Sequence, residues 1–365
     1  MWPDRRLIDL LEIEHPLVLA PMAGVGTAGL AAAVCKAGGL GSIGCGAMEP
    51  ALAAESIKAL RGLTGRPINI NFFCHVPAKA DAARELAWHD RLSPYYRELG
   101  TDRESAPPRT DLAPFGDELC AIVEDLRPEV VSFHFGLPDP ALLSRVKAAG
   151  CRVLSSATTV EEALWLEARG VDAIIAQGYE AGGHRGTFLV PDVDQAGTLA
   201  TGTLALVPQI VDAVSVPVIA AGGIADGRGI AAALALGAAA VQMGTAFLLC
   251  PEAATPPLHR DALRQARECA TMVTNLFTGR PARVLPNRLT LEMDAILLGL
   301  PDFPLPMGAL LPLRTQAERR GSSDFTPLWA GQMAALAQEM PAKALTQRLV
   351  AQAIERLKRL DARMP

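Results

Sequence analysis

The sequence is poor in aromatic residues, at 5% of 365 positions, and it contains no run of basic side chains. Lys and Arg number 34 against 39 Asp and Glu, a net charge of −5, so the electrostatic footprint of a nucleic-acid binder is missing. Seven cysteines stand at 35, 45, 74, 120, 151, 250 and 269, with no metal-type spacing. Apolar settings such as "AAAVCKAGG" indicate buried free thiols of a reducing cytoplasm, and no metal is expected. No early G-x-G-x-x-G opens a βαβ unit with an acidic residue about twenty positions on, which argues against a Rossmann fold. A P-loop lysine is also missing, which excludes a nucleotide triphosphate. The longest apolar stretch, "GIAAALALGAAAVQMGTAFLLC", is interrupted by Gly, Gln and Thr and divides into helix, turn and strand, so no membrane partner is expected. "MWPDRRLIDLLEIEHP" is charged throughout, unlike a secretory leader.

What the chain does have is a rhythm. Half of its residues are hydrophobic, dominated by Ala, Gly, Leu and Val. Short apolar runs recur at 17–22, 40–45, 68–71, 130–136, 152–157, 173–178, 216–223 and 240–245. Most are continuously apolar, as parallel strands covered on both faces should be. Four joints look alike: "KAGGLGSIG", "KAAGCRVLS", "EARGVDAII" and "LALGAAAVQ". Each reads as a helix closed by Gly, which adopts positive φ, with a strand close behind. Eight such units predict an α/β fold of the (β/α)8 TIM-barrel type over 1–250. Residues 77–118 break the rhythm as a polar, Pro-containing insertion. Residues 251–365 read as a smaller, mainly helical substrate or lid region packed over the barrel mouth.

In such a barrel the working groups sit where strands end. Candidates there are Pro21, Met22 and Gly24; Asn71; His134; Gln177, leading into Glu180 and His184; Gly222 and Gly223; and Gln242 to Thr245. "AAGGIADGRGIAAAL" has the form of strand, glycine turn and helix start, which suits a phosphate. The next strand ends in "QMGT", and loops after strands seven and eight are the common phosphate site of this fold. A monophosphate held by backbone, with Asn71 and Gln177 offering donor and acceptor to a flat polar ring, suggests flavin mononucleotide (FMN). Taken singly, both amides are equally at home in structural roles. His184, inside "EAGGHRG", is either a surface-loop imidazole or a group that takes a proton from carbon or holds an anion. The glycines around it cannot bury it, so a ligand is expected to fix the loop. Glu180 either orients loop backbone or pairs with Arg185. His134 either faces substrate or is a satisfied core histidine.

Taken together, "PMAGVGTAGLAAAVCKAGGLGSIG", "INFF", "QGYEAGGHRG", "AAGGIADGRGIAAALALGA" and "VQMGTAFL" resemble the nitronate monooxygenases, formerly 2-nitropropane dioxygenases. "TNLFTGRPAR" and "LWAGQ" are similar to that family as well. The resemblance is thin over 77–118 and much of 285–325. It implies an FMN-dependent oxidoreductase that uses O2 to oxidise alkyl nitronates such as propionate 3-nitronate to a carbonyl compound and nitrite or related nitrogen oxides, a detoxifying activity. The family's FMN contacts carry over to Met22, Asn71, Gln177, Gly182, Gly222, Gln242, Met243, Gly244 and Thr245, beside Gly223 from the glycine turn. Its catalytic histidine carries over to His184, and His134 matches a position lining the substrate pocket. The partners implied are a small nitronate and O2, with room for a homodimer. The rival within the superfamily is an FMN-dependent NAD(P)H:quinone or enoyl-acyl carrier protein reductase.

Overall fold

The computed structural model describes residues 2–102, 112–190, 200–267 and 271–361. Cys269 and residues 103–111 of the expected insertion lie outside these. Among the described residues eleven strands are found: β1 (Leu17–Leu19), β2 (Gly41–Gly44), β3 (Ile68–Phe73), β4 (Val130–His134), β5 (Arg152–Ala157), β6 (Ala173–Gln177), β7 (Gly183–His184), β8 (Val218–Ala221), β9 (Ala240–Met243), β10 (Met272–Thr274) and β11 (Ala282–Val284). Eight of them, β1–β6 with β8 and β9, correspond to the eight apolar runs. They form one parallel sheet in the order β1-β9-β8-β6-β5-β4-β3-β2, and a parallel bridge between Val18 and Leu40 closes it into a barrel. The glycines of the four joints, Gly38, Gly150, Gly170 and Gly237, all adopt positive φ, between 76° and 94°.

Register decides which side chains meet. In parallel strands paired residues share a face and neighbours along the strand alternate. Asn71 pairs with Ser132 and Phe73 with His134. Ser132 pairs with Leu154 and Ser156 with Ile175. Gln177 then pairs with Ala221, Ala221 with Gln242 and Gln242 with Val18. Asn71, His134, Ser156, Gln177 and Gln242 therefore share one face. The opposite face carries Phe72 and Phe133, whose rings lie 4.9 and 5.2 Å from that of Phe115, just before the outer helix Asp117–Leu126. The polar set thus lines the barrel interior.

Beyond residue 250, sequence order and packing part company. A second sheet, β10-β11-β7, is antiparallel and was not foreseen in a region read as mainly helical. Two three-residue strands offer too little periodicity to be seen in a sequence. A second hydrophobic cluster joins Trp88, Leu92 and Tyr96 of the insertion helix Ala82–Leu99 to Leu310 and Leu313 of the helix Pro306–Arg319. Trp88 donates its indole N–H to the Pro306 carbonyl at 3.2 Å. The last helix, Ala342–Asp361, instead packs on the barrel's own helices: Leu345, Leu349 and Ala353 belong to the main core. It runs so close to the helix Gly227–Ala235 that a Cβ on Gly227 would stand 2.3 Å from that of Gln352. No helix among the described residues is long and apolar enough to cross a membrane.

Candidate active site

At the end of β6 the chain turns through Gly178–Gly182 and re-enters regular structure as β7. His184 pairs with Ala282 and Gly183 with Arg283; the Arg185 amide donates to the Pro281 carbonyl at 2.9 Å. Protein contacts therefore hold the glycine-rich stretch, which its composition alone does not reveal. Three consecutive carbonyls are gripped from beneath. Arg185 Nη1 donates to those of Gln177 and Gly178 at 3.2 and 2.7 Å, and Arg283 Nε to that of Tyr179 at 2.9 Å. The segment 329–332 closes over the top. Gln332 N–H donates to Glu180 O at 3.0 Å, Gly331 N–H donates to Thr245 Oγ1 at 2.9 Å, and a Cβ on Gly182 would lie 2.5 Å from Gly331 N. Glu180 settles on its first option: its carboxylate accepts from the Thr203 amide and hydroxyl at 2.8 and 2.7 Å rather than pairing with Arg185.

His184 Nε2 lies 2.9 Å from Thr278 Oγ1, and the other ring nitrogen has no partner among the described residues. Its ring meets Trp329, Phe303 and Phe135 at centroid distances of 5.1, 5.5 and 6.0 Å. Burial drives its pKa down to about 3, with His134, Arg280 and His75 adding in the same direction. The imidazole is therefore neutral at working pH. His134 sits below it with both nitrogens engaged: Nε2 at 3.2 Å from His184 O and Nδ1 at 2.6 Å from Ser156 Oγ. The carbonyl can only accept, so Nε2 carries the proton and Ser156 donates to Nδ1. Burial lowers its pKa to about 4.

Gln177 spends its amide on the same loop, donating to His184 O at 2.9 Å and accepting from Gly186 N–H at 2.7 Å. One amide hydrogen is left for anything else. Asn71 Nδ2 donates to Ser132 O and Oγ at 3.1 and 3.0 Å, while its Oδ1 has no partner among the described residues. Gln242 Oε1 is buried with none. Met22, half-buried at the end of β1, approaches Gly244: a Cβ there would lie 3.5 Å from Met22 Sδ. Met243 points into the core at 1% exposure, so only its backbone can reach a ligand. Gly222 and Gly223 have φ of 114° and 68°, and the amides of Gly223 and Gly244 donate to no carbonyl among the described residues. The helix start in "GIADGRG" offers less than its sequence suggests. Asp226 caps it, accepting from the Arg228 and Gly229 amides at 2.8 and 3.4 Å. The barrel thus gathers Asn71, Gln177, Gln242 and the Gly223 and Gly244 amides about one mouth, with His134 and His184 on the side of the second sheet.

Sequence reasoning passed over the aromatic wall and its cation. Phe135, 3% exposed, has φ of +68°, which costs a non-glycine residue about 1–3 kcal/mol. Burying its ring returns about 1.5–3 kcal/mol, so packing sustains the turn. The ring contacts His134, Phe73 and Phe303 at 4.4, 5.2 and 5.6 Å. The Arg280 guanidinium lies over it at 4.2 Å. His75 stacks edge-on to Phe303 at 4.9 Å. The signal available was Phe-His-Phe-Gly at the end of β4 and the arginine inside "FTGRPAR". Among the described residues no group of three or more His, Cys, Asp or Glu could hold a metal.

A family model described as nitronate monooxygenase matches residues 4–352. A nitronate monooxygenase of Pseudomonas aeruginosa is 48% identical over 94% of this chain and 98% of its own. Among solved structures, a nitroalkane oxidase from Streptomyces ansochromogenes superposes with a TM-score of 0.89 at 40% identity, over 97% of this chain and 99% of that one. FabK from Thermotoga maritima gives 0.75 at 32%, over the full length of both.

Proposed function

This chain belongs to the nitronate monooxygenase family, and from that premise we propose that it oxidises alkyl nitronates with O2 on bound FMN, releasing a carbonyl compound and nitrite or related nitrogen oxides. The observation that carries the reading is the position of His184, a neutral imidazole pinned by β11 and Thr278 at the mouth of the barrel, opposite a half built of uncommitted backbone amides. The residues present suit FMN. Asn71 Oδ1, Gln242 Oε1 and the remaining Gln177 amide hydrogen match a flat ring that both donates and accepts. The Gly222–Gly223 and Gly244–Thr245 turns suit its phosphate, and Met22 lies beside Gly244. When bound, FMN supplies the one-electron chemistry and the reaction with O2 that no side chain here can perform.

The protein's own share is orientation, dryness and the handling of one proton. With its proton on Nε2, directed at Thr278 Oγ1, His184 presents an unprotonated Nδ1. That nitrogen can take the proton from the carbon next to a nitro group, turning a nitroalkane into a nitronate. A preformed nitronate needs no such step. Gln177 and His134 both hold the His184 carbonyl, and so fix the ring's origin. Phe135, Phe303 and Trp329 exclude water from around it. FabK-like folds keep a reductase as the second reading, favoured by the shared barrel alone. Purified protein should be yellow, and should consume O2 with propionate 3-nitronate. Anaerobic bleaching by NADPH, with no O2 uptake on the nitronate, would move the assignment to the reductase.

A further inference from the structure

We propose that Arg280 is the anion-recognition residue of this site, engaging the two oxygens of the nitronate and making the enzyme select the nitronate over the neutral nitroalkane. This rests on the reading given above and adds the group that sets its specificity. The Arg280 guanidinium lies 4.2 Å over the Phe135 ring and 5.9 Å from that of Phe303. His184 packs against the same two rings at 6.0 and 5.5 Å. One pair of phenyl rings therefore carries the cation and the imidazole together. A guanidinium has five N–H donors, yet among the described residues that of Arg280 makes a single hydrogen bond, to Thr187 O at 3.3 Å, and no ion pair.

The Glu162 carboxylate supports the Arg280 charge through space but offers it no hydrogen bond among the described residues. Glu162 is fully buried, and its oxygens accept from Thr158 N and Oγ1 at 2.6 and 2.8 Å and from the Phe188 and Leu189 amides at 2.7 and 3.3 Å. Three imidazoles also lie within its field. Burial, helped by the positive field of Arg280, holds His75, His134 and His184 in their neutral forms, so none of them adds a second positive charge for an anion. Burial lowers Arg280 itself only to about 10, and it stays cationic at working pH. A permanent charge in an apolar wall with unused donors is costly unless an anion completes it. A nitronate is planar and presents two oxygens sharing one negative charge, the shape that a guanidinium fork binds in bidentate fashion. His184, being neutral, cannot provide that attraction. The two residues divide the work: Arg280 for charge, His184 for the proton.

The test uses the purified flavin-loaded enzyme, with ethyl nitronate as substrate and nitrate as a planar, unreactive anion. In Arg280→Gln, KM for the nitronate is expected to rise about 10- to 100-fold, the worth of a lost charge-assisted contact, with a smaller fall in kcat. Arg280→Lys, which keeps the charge without the fork, should recover part of the loss and covers the case in which the glutamine variant fails to fold. Nitrate should compete with the nitronate in the native enzyme, and its calorimetric binding should vanish in Arg280→Gln. An unchanged KM in either variant, or no competition by nitrate in the native enzyme, overturns the proposal. If the native enzyme turns over no nitronate, the proposed function fails separately. Nitrate binding, lost or retained on substitution, then decides the anion site alone.

Discussion

Around the barrel mouth, the loops after β8 and β9 and the loop after β6 are made of different materials. The first pair offers main chain: Gly222, Gly223 and Gly244, the Thr245 hydroxyl and Gln242, with no ionisable side chain among them. Each lies in or directly after a barrel strand, and only the Thr245 hydroxyl also meets the covering segment, at Gly331 N–H. The other half is built of side chains wedged between two bodies. His184 rides on a strand whose only ladder partner among the described residues is β11, Trp329 and Phe303 come from further along, and Arg280 precedes β11. Amides from a rigid wall suit an ionised, unreacting handle such as a phosphate. A proton carrier needs dry surroundings and a tuned pKa, which packing from a second body supplies. On the proposed function, anchoring and chemistry are thereby separated in space.

The sharpest way to break that separation is Gly182→Val. The added Cβ would meet Gly331 N at 2.5 Å and Ala330 C at 2.6 Å, backbone atoms that cannot swing aside. Segment 329–332 must lift, and the His184 loop loses its cover. Turnover should fall by more than the roughly 100-fold that a misplacement of about 1 Å costs, with about 1–3 kcal/mol of stability lost to overpacking. Steady-state rates and urea midpoints measure both, and a variant of native rate would show that the two bodies need not touch here. A milder cut is His184→Asn. The anchoring half is untouched, so flavin should be retained by absorbance, while turnover of neutral nitroethane drops about 100-fold or more and ethyl nitronate is affected less. Equal loss on both substrates would remove the proton from His184's duties.

The same division explains what could be read beforehand. The eight barrel strands and their glycine joints were legible because each is a local pattern: an apolar run, a helix period, a residue at positive φ. Asn71, Gln177 and Gln242 fall on one face by register, and register follows once the strands are placed. The second half has no such grammar. Nothing within "EAGGHRG" shows that Ala282 will pair with it 98 positions later, an interval counted from His184 to Ala282. Nor does "SFHFG" show that Phe135 will take a left-handed turn to lay its ring under Arg280. Hydrogen bonds chosen by tertiary packing were equally hidden. Gln177, expected to face a ring with both ends of its amide, instead spends most of that capacity on its own loop.

The finest test of the comparison is the response to acid. Burial lowers His184 to about 3, His134 to about 4 and His259, beneath Trp329, to about 4, all from an ordinary value near 6.5. Between those limits the unfolded chain binds protons that the native chain refuses. The stabilisation is fully present above about pH 6.5 and is lost as pH falls towards 4, by up to about 1.4 kcal/mol per pH unit for each group. Asp4 and Asp226, held low by contacts with Arg6 and Arg228 against the cost of burial, act only below the ordinary range of a carboxylate, whereas His15 and His75, also lowered by burial, add to the decline within this window. Urea midpoints should therefore decline from about pH 6.5 to about pH 4.5. His134→Asn should flatten the slope by one group's share, whereas Gln242→Met, on the anchoring side, should change the midpoint without changing the slope. A slope unaltered by His134→Asn would mean that this imidazole already titrates freely in the native protein, and that the half around His184 is wetter than its packing implies.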